Sequence, residues 1–359
     1  MVEMADDVGG PDAADAPEPT VLARVEGRVG HLTLNRPRAI NALDLGMIRQ
    51  LTAALGAWRD DPAVETVLVD GAGDRGFCAG GDVRGLREQI LAGRADLTAG
   101  FFRAEYALNA AIAEFPKPIV AIADGVTMGG GIGLAGHATV RLVTERSRLA
   151  MPETRIGFTP DVGGSWLLAH APGRVGEYLA LTGDTMDAAD AVYAGFADGV
   201  IASAELAAPS ERFVSSLRSS GGDRGEAPPS RLEAARPWID DAFVAGTVAE
   251  IVERLRARPE PEAAAAADTL GELSPTALTV ALAAVRAARE LPDLRAALAQ
   301  EYGLVLWFAQ TQPDLVEGIR AQVVDKDRRP RWQPASLAAV EPGLAARALA
   351  WVPPVPLWD

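Results

Sequence analysis

Two short apolar runs in this chain each empty into a glycine-rich loop, and this repetition constrains the fold more than any other feature. Residues 67–69 are followed by the loop 71–82, and residues 119–123 lead to a second glycine cluster at 128–136. Runs this short, bounded by turn residues, read as buried strands. Where a glycine loop then enters a helix, the first backbone amides lack intrahelical partners and point outward with the positive end of the helix dipole. Residues 140–143 are again strand-like. Upstream, residues 21–25 and 31–34 flank Glu26-Gly27-Arg28 as a hairpin. Residues 44–59 place Leu45, Ile48, Leu51, Leu55 and Trp58 on one helical face. A helix over 98–115 stops at Pro116-Lys117-Pro118. Strand, glycine loop and helix recur, so the first ~200 residues read as α/β.

After Ile201 the composition changes. Residues 221–230 form a polar, Gly/Pro-rich break. From 238 to 320 the pattern is alanine-rich and helical, with Pro275, Pro292 and Pro313 near helix starts. The expected organisation is a disordered acidic tail over 1–19, an α/β core over 20–220, a helical region over 231–330 and an irregular tail over 331–359. The net charge of −15 argues against nucleic acid, whose phosphates it would repel. The acidic start has neither the basic segment nor the apolar run of a secretory signal, and no stretch of about 18 apolar residues offers a membrane span. With Cys78 the only cysteine, neither an intrachain disulfide nor a thiolate metal cluster can form, and a cytoplasmic location is expected.

Several nucleophile and cofactor motifs fail on inspection. Residues 131–136 match G-x-G-x-x-G, but seven residues separate them from the preceding strand, so the glycines read as helix packing, not a dinucleotide site. Ser165 lacks the flanking pattern of a nucleophile elbow. Cys78 has no histidine in a recognisable dyad and reads as a small apolar filler. Three scattered histidines, His31, His137 and His170, make a His-based zinc site a poor reading. Backbone amides and carboxylates remain. Two amides from the glycine clusters converging on one oxygen would make an oxyanion hole, and glycine lets the backbone approach a ligand closely. Downstream, Glu153 and Asp161 lie eight residues apart, each fixed on a turn by prolines and glycines. Acids so placed ordinarily cap helices, and spacing by itself does not make them catalytic.

Taken together, these segments resemble the crotonase (enoyl-CoA hydratase/isomerase) superfamily. Leu34-Asn35-Arg36-Pro37, Asn41-Ala42-Leu43, residues 76–82 (GFCAGGD) and residues 124–131 (DGVTMGGG) stand in its order and spacing. Residues 101–106, Met151-Pro152-Glu153-Thr154 with Pro160-Asp161-Val162-Gly163-Gly164, residues 179–183, Ser274-Pro275-Thr276, Glu301-Tyr302, residues 317–321 and Asp325-Lys326-Asp327 resemble its 3-hydroxyisobutyryl-CoA hydrolase branch. The resemblance spans residues 21–334.

It implies a crotonase-like spiral of ββα units packed as two sheets, followed by C-terminal helices. It puts oxyanion-hole amides at Gly81 and Gly130, makes Glu153 the catalytic carboxylate and Asp161 its partner, assigns Glu105 to substrate binding with them, and lays the adenine end of CoA against Phe77 and Ala79. Hydratases carry a second catalytic glutamate where this chain has Gly133. Hydration needs two acid–base groups, whereas hydrolysis needs a polarised carbonyl, an attacking oxygen and a thiolate that leaves readily, its conjugate acid having a pKa near ~8.5. The implied activity is therefore hydrolysis of a short acyl-CoA thioester, 3-hydroxyisobutyryl-CoA in valine catabolism, with no metal or redox cofactor. An enoyl-CoA hydratase or isomerase and a catalytically silent binding protein of the same fold are the rivals. A homo-oligomer stays open, since relatives are often trimers or hexamers and the long helical C-terminus could change that.

Overall fold

The computed structural model describes residues 19–208, 210–219 and 229–358. The expected acidic tail and most of the 221–230 break lie outside them. Strands β1 (Val21–Glu26) and β2 (Val29–Leu34) form the hairpin, turning through Gly27 at φ 59°, a left-handed value that suits glycine. Helix α1 (Leu45–Trp58) starts where the Asp44 side chain accepts the Met47 amide, and it buries Met47, Ile48, Leu51, Leu55 and Trp58. Then come β3 (Thr66–Gly71), α2 (Val83–Leu91), α3 (Ala95–Ala113), β4 (Ile119–Ala123), β5 (Val126–Met128), α4 (Gly130–Ala135), β6 (Val140–Thr144) and β7 (Arg148–Ala150). Helices α5 (Gly164–His170), α6 (Val175–Thr182) and α7 (Ala188–Tyr193), strand β8 (Gly199–Ile201) and α8 (Ser210–Ser219) close the α/β part.

The main sheet has the order β1-β2-β3-β4-β6-β8, antiparallel only at the hairpin, and β5 pairs with β7 in a small parallel second sheet. Side chains alternate across the main sheet. Val67, Val69, Ile119, Ala121 and Ala123 join the large core, while Leu68, Val120 and Ile122 face Phe213 and Val214 of α8. Parallel strands covered on both faces explain why β3 and β4 read as continuous apolar runs, not alternating ones.

The helical region comprises α9 (Arg231–Phe243), α10 (Val248–Arg256), α11 (Pro261–Glu272), α12 (Pro275–Ala288), α13 (Leu294–Thr311) and α14 (Asp314–Ile319), which runs on into a π-turn, Arg320–Val324. Its buried residues belong to the same hydrophobic cluster as those of α1, α3 and β4. Helix α13 packs on α3, and α14 packs on α2. The tail after residue 330 alternates irregular stretches with a 3-10 turn, Leu337–Ala339, and one short helix, and it is packed against the rest. Helix α15 (Leu344–Leu349) packs on α12, Leu357 is buried with its carbonyl accepting from Arg103, and the Trp358 indole donates to the Arg295 carbonyl. Prolines hide this order from a periodicity reading, while the apolar side chains between them supply the packing. No helix among the described residues is long and apolar enough to cross a membrane.

Candidate active site

The two glycine loops are locked together by backbone. Bridges join Gly76 to Gly125 and Cys78 to Thr127. Leu43 donates to the Gly80 carbonyl and accepts from Asp82, each at 2.8 Å, which turns the Gly81 amide the other way. Gly130 opens α4, so its amide has no intrahelical acceptor. Neither amide has a protein acceptor among the described residues. They lie side by side: a Cβ placed on Gly130 would stand 3.3 Å from Gly81 N and 2.7 Å from Glu105 Oε1. Any side chain at 130 would therefore strike Glu105.

These amides open onto a cavity of about 290 Å³ lined by Ala79, Gly81, Glu105, Gly130, Glu153 and Asp161, with Phe101, Phe102, Phe158 and Ile156 as apolar wall. Gln322 and Val323 of the π-turn line it from the C-terminal side, where Arg84 of α2 donates to the Val323 carbonyl at 2.7 Å. The structure thus brings together the expected site residues, with one exception. Phe77 is wholly buried in the main core, its carbonyl accepting from Asn41 at 3.0 Å, so its ring is not available to a ligand. The segment that carries it is sandwiched between β5 and the core, and only from Ala79 onward does the loop reach the cavity.

Glu153 begins a 3-10 turn after Pro152, and Glu105 projects from the middle of α3. Both are almost entirely buried, at 6% and 2% exposure, and Glu153 Oε2 and Glu105 Oε1 have no hydrogen-bond partner among the described residues. Burial, and then the Asp161 charge, holds both carboxyls well above the ordinary range. Burial pushes Asp161 up to about 7, opposed by the Tyr106 hydroxyl, which donates to Oδ2 at 3.1 Å. Asp161 thus sits near the pH at which a proton can be gained and lost. A Cβ on Gly129 would stand 3.0 Å from Glu153 Oε1, so that glycine makes room for the acid.

Asp161 sits on a turn with unusual backbone. Val162 has φ 55° and Gly163 φ 77°. For a β-branched residue the left-handed region costs about 1–3 kcal/mol, and it persists only where surroundings enforce it. Here His137 Nε2 bonds the Val162 carbonyl at 2.8 Å. From α13, Glu301 accepts the Gly163 amide at 2.6 Å, the Ser165 amide at 2.9 Å and the Ser165 hydroxyl at 2.5 Å. Burial raises Glu301 to about 8 against these bonds, and lowers His137 to about 4, leaving it neutral.

Tyr106 and Glu301 stood in the sequence only inside segments of the family pattern, His137 only as one of three scattered histidines, and Asn109 not at all, so none was given a role. The available signal was a polar residue within an otherwise apolar helical stripe, as with Glu301 among Leu298, Tyr302 and Val305. Gly133 is boxed in: a Cβ there would stand 2.8 Å from Asn109 Nδ2 and from Val162 Cβ. Asn109 is fully buried, and neither polar atom of its side chain has a partner among the described residues.

The remaining nucleophile candidates lie elsewhere. Cys78 donates to the Asn41 carbonyl at 3.2 Å, and burial pushes its thiol up to about 12, so it stays protonated. On the opposite face of the sheet, Ser210, His31 and Asp70 are hydrogen-bonded in series. The Arg24 guanidinium also donates to His31 Nδ1 at 2.6 Å, occupying the lone pair a base would need. No group of three or more side chains suited to a metal ion occurs among the described residues.

The chain matches the family model described as enoyl-CoA hydratase/isomerase over residues 29–349. The protein of Danio rerio named mitochondrial 3-hydroxyisobutyryl-CoA hydrolase is 38% identical over 338 residues, covering 89% of this chain and 86% of its own. The Homo sapiens protein of the same name is 37% identical over 344 residues, covering 91% and 87%. Among solved structures, one described as a carnitinyl-CoA dehydratase from Mycobacterium thermoresistibile superposes with TM-score 0.87 at 44% identity, covering 93% of this chain and 97% of its own. One described as an enoyl-CoA hydratase from Rhodobacter sphaeroides 2.4.1 has TM-score 0.87 at 44% identity, covering 94% and 99%.

Proposed function

The chain belongs to the enoyl-CoA hydratase/isomerase family, and from that premise we propose that it hydrolyses a short acyl-CoA thioester, 3-hydroxyisobutyryl-CoA being the preferred substrate. One observation carries the choice of hydrolysis. Glu153 presents an unbonded carboxylate oxygen to a cavity shared with two unpaired amides, while the position matching a second hydratase acid is Gly133, packed against Asn109 and Val162.

In this reading the thioester oxygen accepts from the Gly81 and Gly130 amides. A preorganised donor of this kind contributes roughly 10²–10³ in kcat, because it faces the charge that develops on oxygen. Glu153, once it has lost its proton against the burial that holds its carboxyl above the ordinary range, either attacks the carbonyl carbon to give an anhydride or takes a proton from the water that attacks it. CoA departs as thiolate, and Asp161 relays the proton and orients Glu153. Glu105 hydrogen-bonds the acyl hydroxyl, and Ala79 faces the CoA moiety. Two routes to product remain, and single-turnover hydrolysis in ¹⁸O-water distinguishes them: label in the Glu153 carboxylate marks the anhydride.

The solved structures described as dehydratase and hydratase favour a second reading, water addition to an enoyl-CoA. Release of free thiol from 3-hydroxyisobutyryl-CoA, measured beside hydration of crotonyl-CoA, decides between them. Hydration equal to or faster than thiol release sinks the hydrolase reading. A step in valine catabolism, a cytoplasmic location (the relatives above are named mitochondrial) and homo-oligomeric assembly belong to the same proposal, the last open to sedimentation velocity.

A further inference from the structure

We infer, building on the thioesterase reading, that Glu301 is a positioning residue that aims Asp161 by holding the turn at 161–165 in its strained form. Glu301 is fully buried, 140 residues downstream of Asp161, and both of its oxygens are spent on Gly163 and Ser165. Among the described residues no guanidinium or ammonium forms an ion pair with it, and burial raises it to about 8. The titratable groups around it are Asp161, Glu153 and Tyr106, with His137 on the far side of the turn. A buried acid with acidic neighbours is costly for stability, and an apolar residue on α13 would pack there more cheaply.

What the acid supplies is direction. Its three bonds run to the residues just after Val162, whose left-handed φ would otherwise relax. Relaxation at Val162 would swing Asp161, one residue before it, away from the Tyr106 hydroxyl and from Glu153. The simpler account is that Glu301 only caps α5, whose first amides these are. A cap contributes stability; an aiming device contributes to turnover. The two accounts therefore differ in kinetics.

Glu301→Gln places an NH₂ against the Gly163 or Ser165 amide, so donor meets donor. In the full-length protein, kcat for the thioester is expected to fall about 10- to 100-fold with KM within about threefold, since a misplaced catalytic group costs rate more than binding. The pH inflection near 7 assigned to Asp161 should move upward as the Tyr106 bond loosens. Adding Val162→Gly, which removes the conformational penalty, should recover part of the lost kcat. A folded Glu301→Gln enzyme with kcat within about threefold of wild type and the same inflection overturns the inference; so does a loss of kcat that Val162→Gly leaves untouched. If Glu301→Gln does not fold, Ser165→Ala removes one of the three bonds, and an unchanged kcat there is equally fatal. Should the wild type hydrolyse no acyl-CoA, the functional reading fails by itself. The positioning claim is then judged in a crystal structure of the variant, where Tyr106 and Asp161 still at 3.1 Å would refute it.

Discussion

The Tyr106 hydroxyl donates to Asp161 Oδ2 at 3.1 Å, in a site where both side chains are shut away from water. Burial raises the phenol well above its ordinary value, so it remains a donor throughout the working range, and the bond favours the ionised form of Asp161. Tyr106→Phe removes that support. The apparent pKa near 7 in the pH profile of thioester hydrolysis is expected to rise, leaving less ionised Asp161 at neutral pH and lower activity there. An unmoved inflection would show that Asp161 does not govern it.

Asp161 also carries a stability cost with a definite sign. Its folded-state pKa, about 7, lies above its ordinary 3.8, so the native state binds more protons than the unfolded state between these values. Stability contributed through this group therefore falls as pH rises from about 4 to about 7 and is flat above. Asp161→Asn should unfold a few degrees higher than wild type at pH 8.5, with little gain at pH 4, while losing most of its activity. Equal melting temperatures at pH 8.5 would contradict a buried, unpaired charge.

Glu153→Gln keeps the size of the side chain and removes the charge needed for attack or proton abstraction. Thiol release should become undetectable, with the Kd for a non-hydrolysable CoA ester within a few-fold of wild type by calorimetry. Hydrolysis within tenfold of wild type would take Glu153 out of the reaction.

Much of this was legible in the chain itself, and the limits have physical causes. Asp44 and the stripe Ile48, Leu51, Leu55 and Trp58 announce α1 because capping and periodicity are local. The glycine loops announce free amides for the same reason. β5 and β7, at three residues each, are too short to show a period, and their pairing is a tertiary fact. Glu153 and Asp161 were visible as acids on turns, but their approach to Glu105 depends on how α3 packs against α4 and α13. Glu301 stood only as part of a family pattern, since nothing local links α13 to the Asp161 turn. Phe77 and Ala79 look equivalent in a glycine loop, and only the packing under the loop separates a core ring from a cavity wall.

Gly133 is the position where space, more than chemistry, restricts the reaction. Gly133→Ala should destabilise by about 1–3 kcal/mol, as overpacking a filled core does, because Val162 cannot yield easily. Wild-type hydration of crotonyl-CoA should be negligible beside thioester hydrolysis. A Gly133→Ala protein as stable as wild type in urea would show that the site has room.

The proposed substrate choice rests on Glu105 Oε1, which has no hydrogen-bond partner among the described residues and faces the cavity. A site that hydrogen-bonds a hydroxyl penalises an analogue lacking it, by roughly 1–3 kcal/mol for a buried polar group left unpaired, or about five- to a hundredfold. 3-Hydroxyisobutyryl-CoA should exceed isobutyryl-CoA in kcat/KM by that range, and Glu105→Ala should narrow the gap. Equal turnover of both esters by wild type would mean that no hydroxyl is read.

That Gln322 and Val323 wall the cavity, and Glu301 holds its turn, has a consequence for how the protein comes into being. The strands, both glycine amides and the three cavity acids leave the ribosome first, and at about 5–20 residues per second the roof follows on the order of ten seconds later. During that interval Gln322 and Val323 are not yet there to wall the cavity beside Phe101, Phe102 and Phe158. A premature stop in the helical region would therefore leave a chain with both glycine amides and the three cavity acids but without the wall and the turn-holding acid that α13 and the π-turn supply, and such a chain is expected to show no thioesterase activity.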